Sequence, residues 1–257
     1  MISTRRHDKK AGAREHVFAA LAWFIVWEIA ARLVGKELIL PGPLRVAGTL
    51  VSLAGQGSFW FSILTTLLRI MSGYLLGLLL ASVLAVLTSF FKPADIFLAP
   101  AIRIVRAVPV ASFIILALLW VGRRYVPVLI SMMMVVPVIW ENLSEAIANT
   151  DRKLLEMGRA YRFGKMKIFR FIYLPSVLPS FEAGCLTAMG LAWKSGIAAE
   201  VLSQPKNAIG TNVYNSKVYL ETPELFAWTL TVIVLSLIIE HAIRRAVAAF
   251  KKREGKA

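Results

Sequence analysis

Cysteine is nearly missing from this chain: Cys185 is the only one in 257 residues. One thiol closes no disulfide within the chain and builds no cysteine-based metal site. Cys185 sits in an apolar run and reads as an inert buried thiol. Histidine is scarce too, with His7, His16 and His241 near the two ends. No His-x-x-x-His spacing, acidic pair or Ser/His set stands in a catalytic context. The phosphate-cradling pattern Gly-x-x-x-x-Gly-Lys-Ser/Thr is absent, so the chain is not expected to bind ATP itself. No cofactor, no metal and no enzymatic activity are expected of it. There is no fixed-period repeat and no low-complexity tract. Acidic residues number 15 against 30 Lys and Arg, a net charge of +15.

Apolar sequence fills the space these absences leave. Hydrophobic residues make up 58% of the chain, and its mean hydropathy is +0.66. Soluble domains of this size are about 45–50% apolar. The excess is too large for one buried core, so much of it must face lipid. Apolar segments run from Val17 to Phe250, which argues for a single continuous membrane domain over residues 1–257. A strongly basic chain fits either a nucleic-acid partner or a membrane protein with basic cytoplasmic loops. Here the charges lie between apolar runs and not along one soluble face, so no nucleic-acid partner is expected.

A span needs about 20 apolar residues to cross about 30 Å of hydrocarbon. The sequence predicts an all-α, polytopic protein with six spans, at about 17–34, 61–90, 106–121, 126–147, 181–202 and 225–247. Leu40-Pro41-Gly42-Pro43 breaks the chain before a short amphipathic stretch, Leu44–Ala54. Ile96–Val108, with Arg103 and Arg106, reads as a helical lead-in to the third span. Pro127 and Pro137 are expected to kink the fourth. Ser203–Pro223 reads as a loop or re-entrant segment. The basic N-terminus resembles a signal peptide, but Val17–Val34 is long, holds Glu28 and lacks a small-x-small cleavage site, so it reads as a retained first span. With that end placed in the cytoplasm, 21 Lys and Arg fall on the cytoplasmic side against 7 outside. The bias places both termini inside a cell membrane that the chain crosses several times.

The loop between the fourth and fifth spans, 150–175, is too long and too charged for a connector. Asp151 stands where an N-cap or first-turn acid is favoured. Leu154, Gly158 and Tyr161 share one helical face, and Leu155 widens it. Gly158 leaves room for close approach by a partner, and Gly164 lets the chain turn. Such a helix looks made to plug into another protein. The stretch Leu154-Leu155-Glu156-Met157-Gly158 … Ile172-Tyr173-Leu174-Pro175 resembles the cytoplasmic EAA loop of binding-protein-dependent ABC importer permeases. That loop reads Glu-Ala-Ala, three residues, Gly, nine residues, Ile-x-Leu-Pro. Glu156, Ile172, Leu174 and Pro175 match without a gap. Met157 and Gly158 replace the alanines, and Arg162 holds the glycine position, with Gly164 two residues later as the substitute helix breaker. Leu40-Pro41-Gly42-Pro43, Arg106–Ala111, Trp120-Val121-Gly122, Gly190-Leu191-Ala192-Trp193 and Ile209-Gly210 are similar to the branch associated with nitrate, aliphatic sulfonates and taurine. The resemblance implies a type I fold and transport of a small solute by alternating access. It also implies a second permease subunit, two ATPase subunits docking on Leu154, Leu155, Glu156, Gly158, Tyr161 and Gly164, and an extracytoplasmic substrate-binding protein. A secondary carrier or channel working without an ATPase is the alternative, and a membrane-bound enzyme or scaffold a more distant one.

Inside the spans, Lys194 and Arg69 are candidate pathway residues. A mid-span charge costs about 2.5–3.5 kcal/mol on insertion scales, so Lys194 should face a cavity or an acid. It attracts an anionic substrate or forms a structural pair. Glu200, six residues on, is poorly placed for it on a straight helix. Arg69 lines the pathway, snorkels or binds an acid. Glu156 couples to the ATPase or pairs with Arg152 or Arg159. Glu28, Glu141, Glu240 and His241 fall near span ends. Trp23, Trp27, Trp60, Trp140 and Trp228 fit interfacial belts or helix packing. Gly73 and Gly77 form a Gly-x-x-x-Gly pattern suited to close helix packing.

Overall fold

The structure is a computed structural model that describes residues 13–254. Arg5, Arg6, His7, Lys9, Lys10 and Lys256 lie outside the described residues. Among the described residues every regular element is helical. The core is three helices: α3 (Gly57–Phe90), α6 (Val126–Ala148) and α9 (Leu174–Ser203). Small residues let them approach. A β-carbon on Gly77 would stand 2.7 Å from Val135 Cβ, one on Gly73 would meet Ser131 Cβ at 2.9 Å, and one on Gly196 would meet Ser131 Oγ at 2.6 Å. The Gly-x-x-x-Gly pattern therefore packs α3 on α6 within this chain. Ile70, Val135, Ile139, Ala188 and Ala192 fill the space between the three helices with no exposure.

Other helices pack on this core or on one another. Helix α1 covers Ala13–Val34, α2 Pro43–Ala54, α4 Lys92–Ala107, α5 Val110–Trp120 and α11 Thr222–Glu254. Among the described residues three helices are long and apolar enough to cross a membrane: Gly57–Phe90, Val126–Ala148 and Thr222–Ala246. Helices α4 and α5 form a pair bent by 110°, the geometry of a broken span or a re-entrant loop. The sequence reading ran 106–121 as one span; the chain instead breaks at Val108-Pro109. Pro109 has no N–H to continue a helix and drives Val108 to extended backbone, φ −76° and ψ 130°. Helix α5 alone, 11 residues, reaches about 16 Å, half the hydrocarbon thickness. The segment 203–223, expected as a loop or re-entrant segment, holds a further helix, α10 (Ile209–Val218), seated on α9 and α11.

The tryptophans divide. Trp140 and Trp228 are buried, with Trp140 Nε1 donating to Thr88 Oγ1 at 2.9 Å and Trp228 Nε1 to Glu224 at 3.1 Å. Trp23 and Trp60 are exposed, as interfacial side chains are. The acids near span ends find cations one turn or one helix away: Glu28 with Arg32 at 2.7 Å, Glu141 with Arg106, and Glu240 with Arg244 at 2.5 Å.

Candidate functional site

Helix α7 (Arg152–Ala160) stands outside the three-helix core. Asp151 caps it, its carboxylate accepting from the Lys153 N–H at 2.8 Å. The chain then turns through Tyr161–Gly164 into α8 (Lys165–Ile168), a π-helical turn at Phe169–Tyr173, and α9. The π turn has a local cause. Pro175 lacks the N–H that an α-helix would aim at the Phe171 carbonyl, and the helix widens just before it.

Gly158 points inward. It is buried, and a β-carbon there would meet Ile172 at 2.9 Å, Ile168 at 3.6 Å and Phe163 at 3.8 Å. The close approach that its missing side chain permits is made by this chain's own Ile172, the first residue of the Ile-x-Leu-Pro stretch. The two halves of the motif, with Gly158 and Ile172 fourteen residues apart, thus lock onto each other. The face left open carries Leu154, Met157 and Tyr161, which are 40%, 47% and 72% exposed. Leu155 is half-buried and Glu156 exposed; Glu156 joins no ion pair among the described residues. Met157 was not singled out from the sequence because its exposure depends on which face Ile172 covers.

Arg162 ends α7 with φ +53°, the left-handed region that favours glycine. Gly164 has φ −66° and ψ 157°, ordinary extended backbone, with nothing within 4 Å of a β-carbon. The helix-breaking position has not moved to Gly164; Arg162 occupies it at a cost of about 1–2 kcal/mol. We expect Arg162→Gly to be tolerated or stabilising, and Gly164→Ala to be neutral, both read as thermal midpoints of the purified protein. A lower midpoint for Arg162→Gly would mean that the arginine side chain makes a contact worth more than the strain.

A second polar site lies within the helical core. Glu200 on α9 is fully buried. Its carboxylate accepts from Thr66 Oγ1 at 2.9 Å and from the Gly210 N–H at 3.1 Å, and it faces Arg69 Nη1 at 3.3 Å. Thr66 Oγ1 accepts in turn from the Ile209 N–H at 3.0 Å. The Arg69 guanidinium also donates to the carbonyls of Lys206, at 2.8 Å, and Asn207, at 3.3 Å. A β-carbon on Gly210 would collide with Glu200 and with Val201 N at 2.6 Å, so only glycine lets α10 approach. The cluster ties α3, α9 and α10 together, and it engages both terminal nitrogens of Arg69. Glu200 pairs with Arg69, not with Lys194.

Lys194 is exposed and lines a cleft of about 390 Å³ between α9 and α11, opposite Ser236 and Glu240. Lys194 and Arg69, grouped as pathway candidates in the sequence, therefore occupy different places. The signal that would have separated them is Thr66 and Arg69 one turn apart within a span on α3, a polar pair that calls for an acid from another helix.

Residues 73–255 match the family described as binding-protein-dependent transport system inner membrane component. The chain is 25% identical to the putative aliphatic sulfonates transport permease protein SsuC of Bacillus subtilis, over 85% of this chain and 80% of that protein. It is 29% identical to the Escherichia coli protein of the same description, over 78% and 79%. With the taurine transport system permease protein TauC of Escherichia coli it shares 22% identity over 85% and 81%. Among solved structures it resembles a chain of an amino acid ABC transporter, with a TM-score of 0.60 at 13% identity over 76% of this chain and 93% of that one. It also resembles a chain of the inward-facing MetNI methionine ABC transporter, with a TM-score of 0.56 at 19% identity over 74% and 93%.

Proposed function

Because the chain belongs to the family of binding-protein-dependent transport system inner membrane components, we propose that its α7 carries the work of a separate ATPase subunit to a pathway for small anions. It is a permease subunit of an ATP-driven importer for a small solute. The observation that carries the finer reading is the outward face of α7: three exposed apolar side chains on a short helix whose other face is locked to the base of α9 through Gly158 and Ile172. A force applied to that face reaches α9 directly, and α9 carries both Lys194 and Glu200. In this reading the pathway forms between two copies of the chain, six spans each, with both termini and α7 in the cytoplasm, an extracytoplasmic binding protein delivering solute, and alternating access as the mechanism.

The leaning to anions rests on Lys194 and on the sulfonate and taurine transport named for the relatives. A sulfonate or nitrate presents a compact negative head that an exposed lysine lining a cleft attracts. Proteoliposomes holding the chain with its ATPase and binding protein should take up an alkanesulfonate only when ATP is present. Uptake that continues without the ATPase would favour a secondary carrier. Lys194→Met should raise the half-saturating concentration about tenfold, the equivalent of 1.4 kcal/mol, with assembly intact; unchanged saturation would remove Lys194 from the pathway.

A further inference from the structure

One apolar groove has no role in the reading above. It runs between the cytoplasmic ends of α3, α6 and α9, has a volume of about 200 Å³, and is lined by Ser82, Val86, Phe90, Ile147, Tyr173 and Phe181 among others. Ser82 donates its hydroxyl to the Leu78 carbonyl at 2.7 Å, so that hydroxyl's proton is already committed within α3. On α3 the lining runs from Ser82 to Phe90 and on α9 and its π turn from Tyr173 to Phe181, so the groove follows the helix axes for about 12 Å. Phe90 and Tyr173 meet edge to face at its cytoplasmic end, with centroids 5.5 Å apart. A helix, at about 10–12 Å across, does not fit a slot of this size. One extended hydrocarbon chain does, and a dry apolar cavity favours such a guest over water.

The mouth is basic. Lys165 stands one turn before Phe169 on the same helix face, and Lys165, Lys167 and Arg170 are all exposed. Lys167 lies over the Phe163 ring at 5.9 Å, and none of the three joins an ion pair among the described residues. Met166 and Phe171, 75% and 65% exposed, alternate with them. Basic residues interleaved with exposed apolar ones suit the interface between headgroups and acyl chains.

We propose that this groove is a binding site for one anionic phospholipid, an acyl chain lying between α3 and α9 and the phosphate held by Lys165, Lys167 and Arg170. The site touches the coupling path at a defined point. Phe169 and Tyr173 of the π turn line the groove, while Ile172 of the same turn seats Gly158 of α7. Filling the groove props the turn that supports the docking helix, so an anionic lipid strengthens coupling. The inference rests on the cytoplasmic placement of α7 proposed above.

The test uses the full chain in lipid nanodiscs of phosphatidylcholine with and without phosphatidylglycerol, reading retained phospholipid by native mass spectrometry and ATPase attachment by co-purification. Unmodified protein should retain phosphatidylglycerol preferentially. Val86→Trp, at a half-open lining position, should abolish retention. The triple change Lys165→Gln, Lys167→Gln and Arg170→Gln should cut the preference for phosphatidylglycerol by about fivefold per charge removed and leave the ATPase attached. Equal retention in all three proteins would overturn the proposal. So would loss of the ATPase with unchanged lipid retention, which assigns the basic surface to that partner, or a cross-link between two copies through a cysteine at Val86, which assigns the groove to the second permease. Should no ATPase attach even to the unmodified chain, the coupling reading fails while lipid selectivity is still measured on the chain alone.

Discussion

Met157→Asp should abolish ATP-dependent uptake and release the ATPase subunit, while Met157→Leu should leave both unchanged. Met157 is 47% exposed at the centre of the open face of α7, between Leu154 and Tyr161. An aspartate there reaches solvent in the isolated chain and costs the fold little. In the assembled complex the same carboxylate would be buried without a partner, at about 3–5 kcal/mol, which lowers the affinity for the ATPase by roughly 150- to 4,000-fold. Co-purification at matched expression reads the attachment, and uptake reads the consequence. Full attachment of Met157→Asp would show that the ATPase meets another surface. Gly158 is the wrong residue for this purpose, since any side chain there strikes Ile172 first.

Arg69→Ala should destabilise the protein more than any change on α7. It strips Glu200, which has no exposure, of its only ion-pair partner among the described residues. It also takes donors from the carbonyls of Lys206 and Asn207. Removing one member of a buried pair costs about 3–5 kcal/mol, whereas replacing both members with well-packed neutral groups is close to neutral. Arg69→Met combined with Glu200→Gln should therefore recover most of the loss, read as the thermal midpoint in detergent. A double variant as unstable as the sum of its singles would show that the two side chains act independently.

Much of this architecture is written in local patterns. The N-cap at Asp151, the end of α3 before Lys92-Pro93 and the amphipathic α2 each follow from a few neighbouring residues. The family resemblance rested on Glu156 and on Ile172, Leu174 and Pro175, and the match over residues 73–255 agrees with it. What stayed hidden depends on contacts between distant segments. Nothing near Gly158 says that Ile172 will fill its notch. Nothing near Arg162 says that a non-glycine residue will accept φ +53°. Glu200 and Arg69 are 131 residues apart, and only the packing of α3 on α9 pairs them. Pro109 falls inside the segment 106–121 read as one span, and the 110° bend there goes with the packing of α5 against α6 and α9.

The central claim is that the outward face of α7 is where a separate ATPase grips this chain in the cytoplasm. Tyr161→Cys tests it in one step. Tyr161 is 72% exposed, and the natural Cys185 is buried, so a thiol cross-linker should react at position 161 alone. In a transport-competent complex the account predicts a cross-link from that cysteine to the ATPase subunit, and no labelling by an impermeant thiol reagent added outside intact cells. Labelling from outside, or the absence of any cross-link in a complex that still transports, would contradict it.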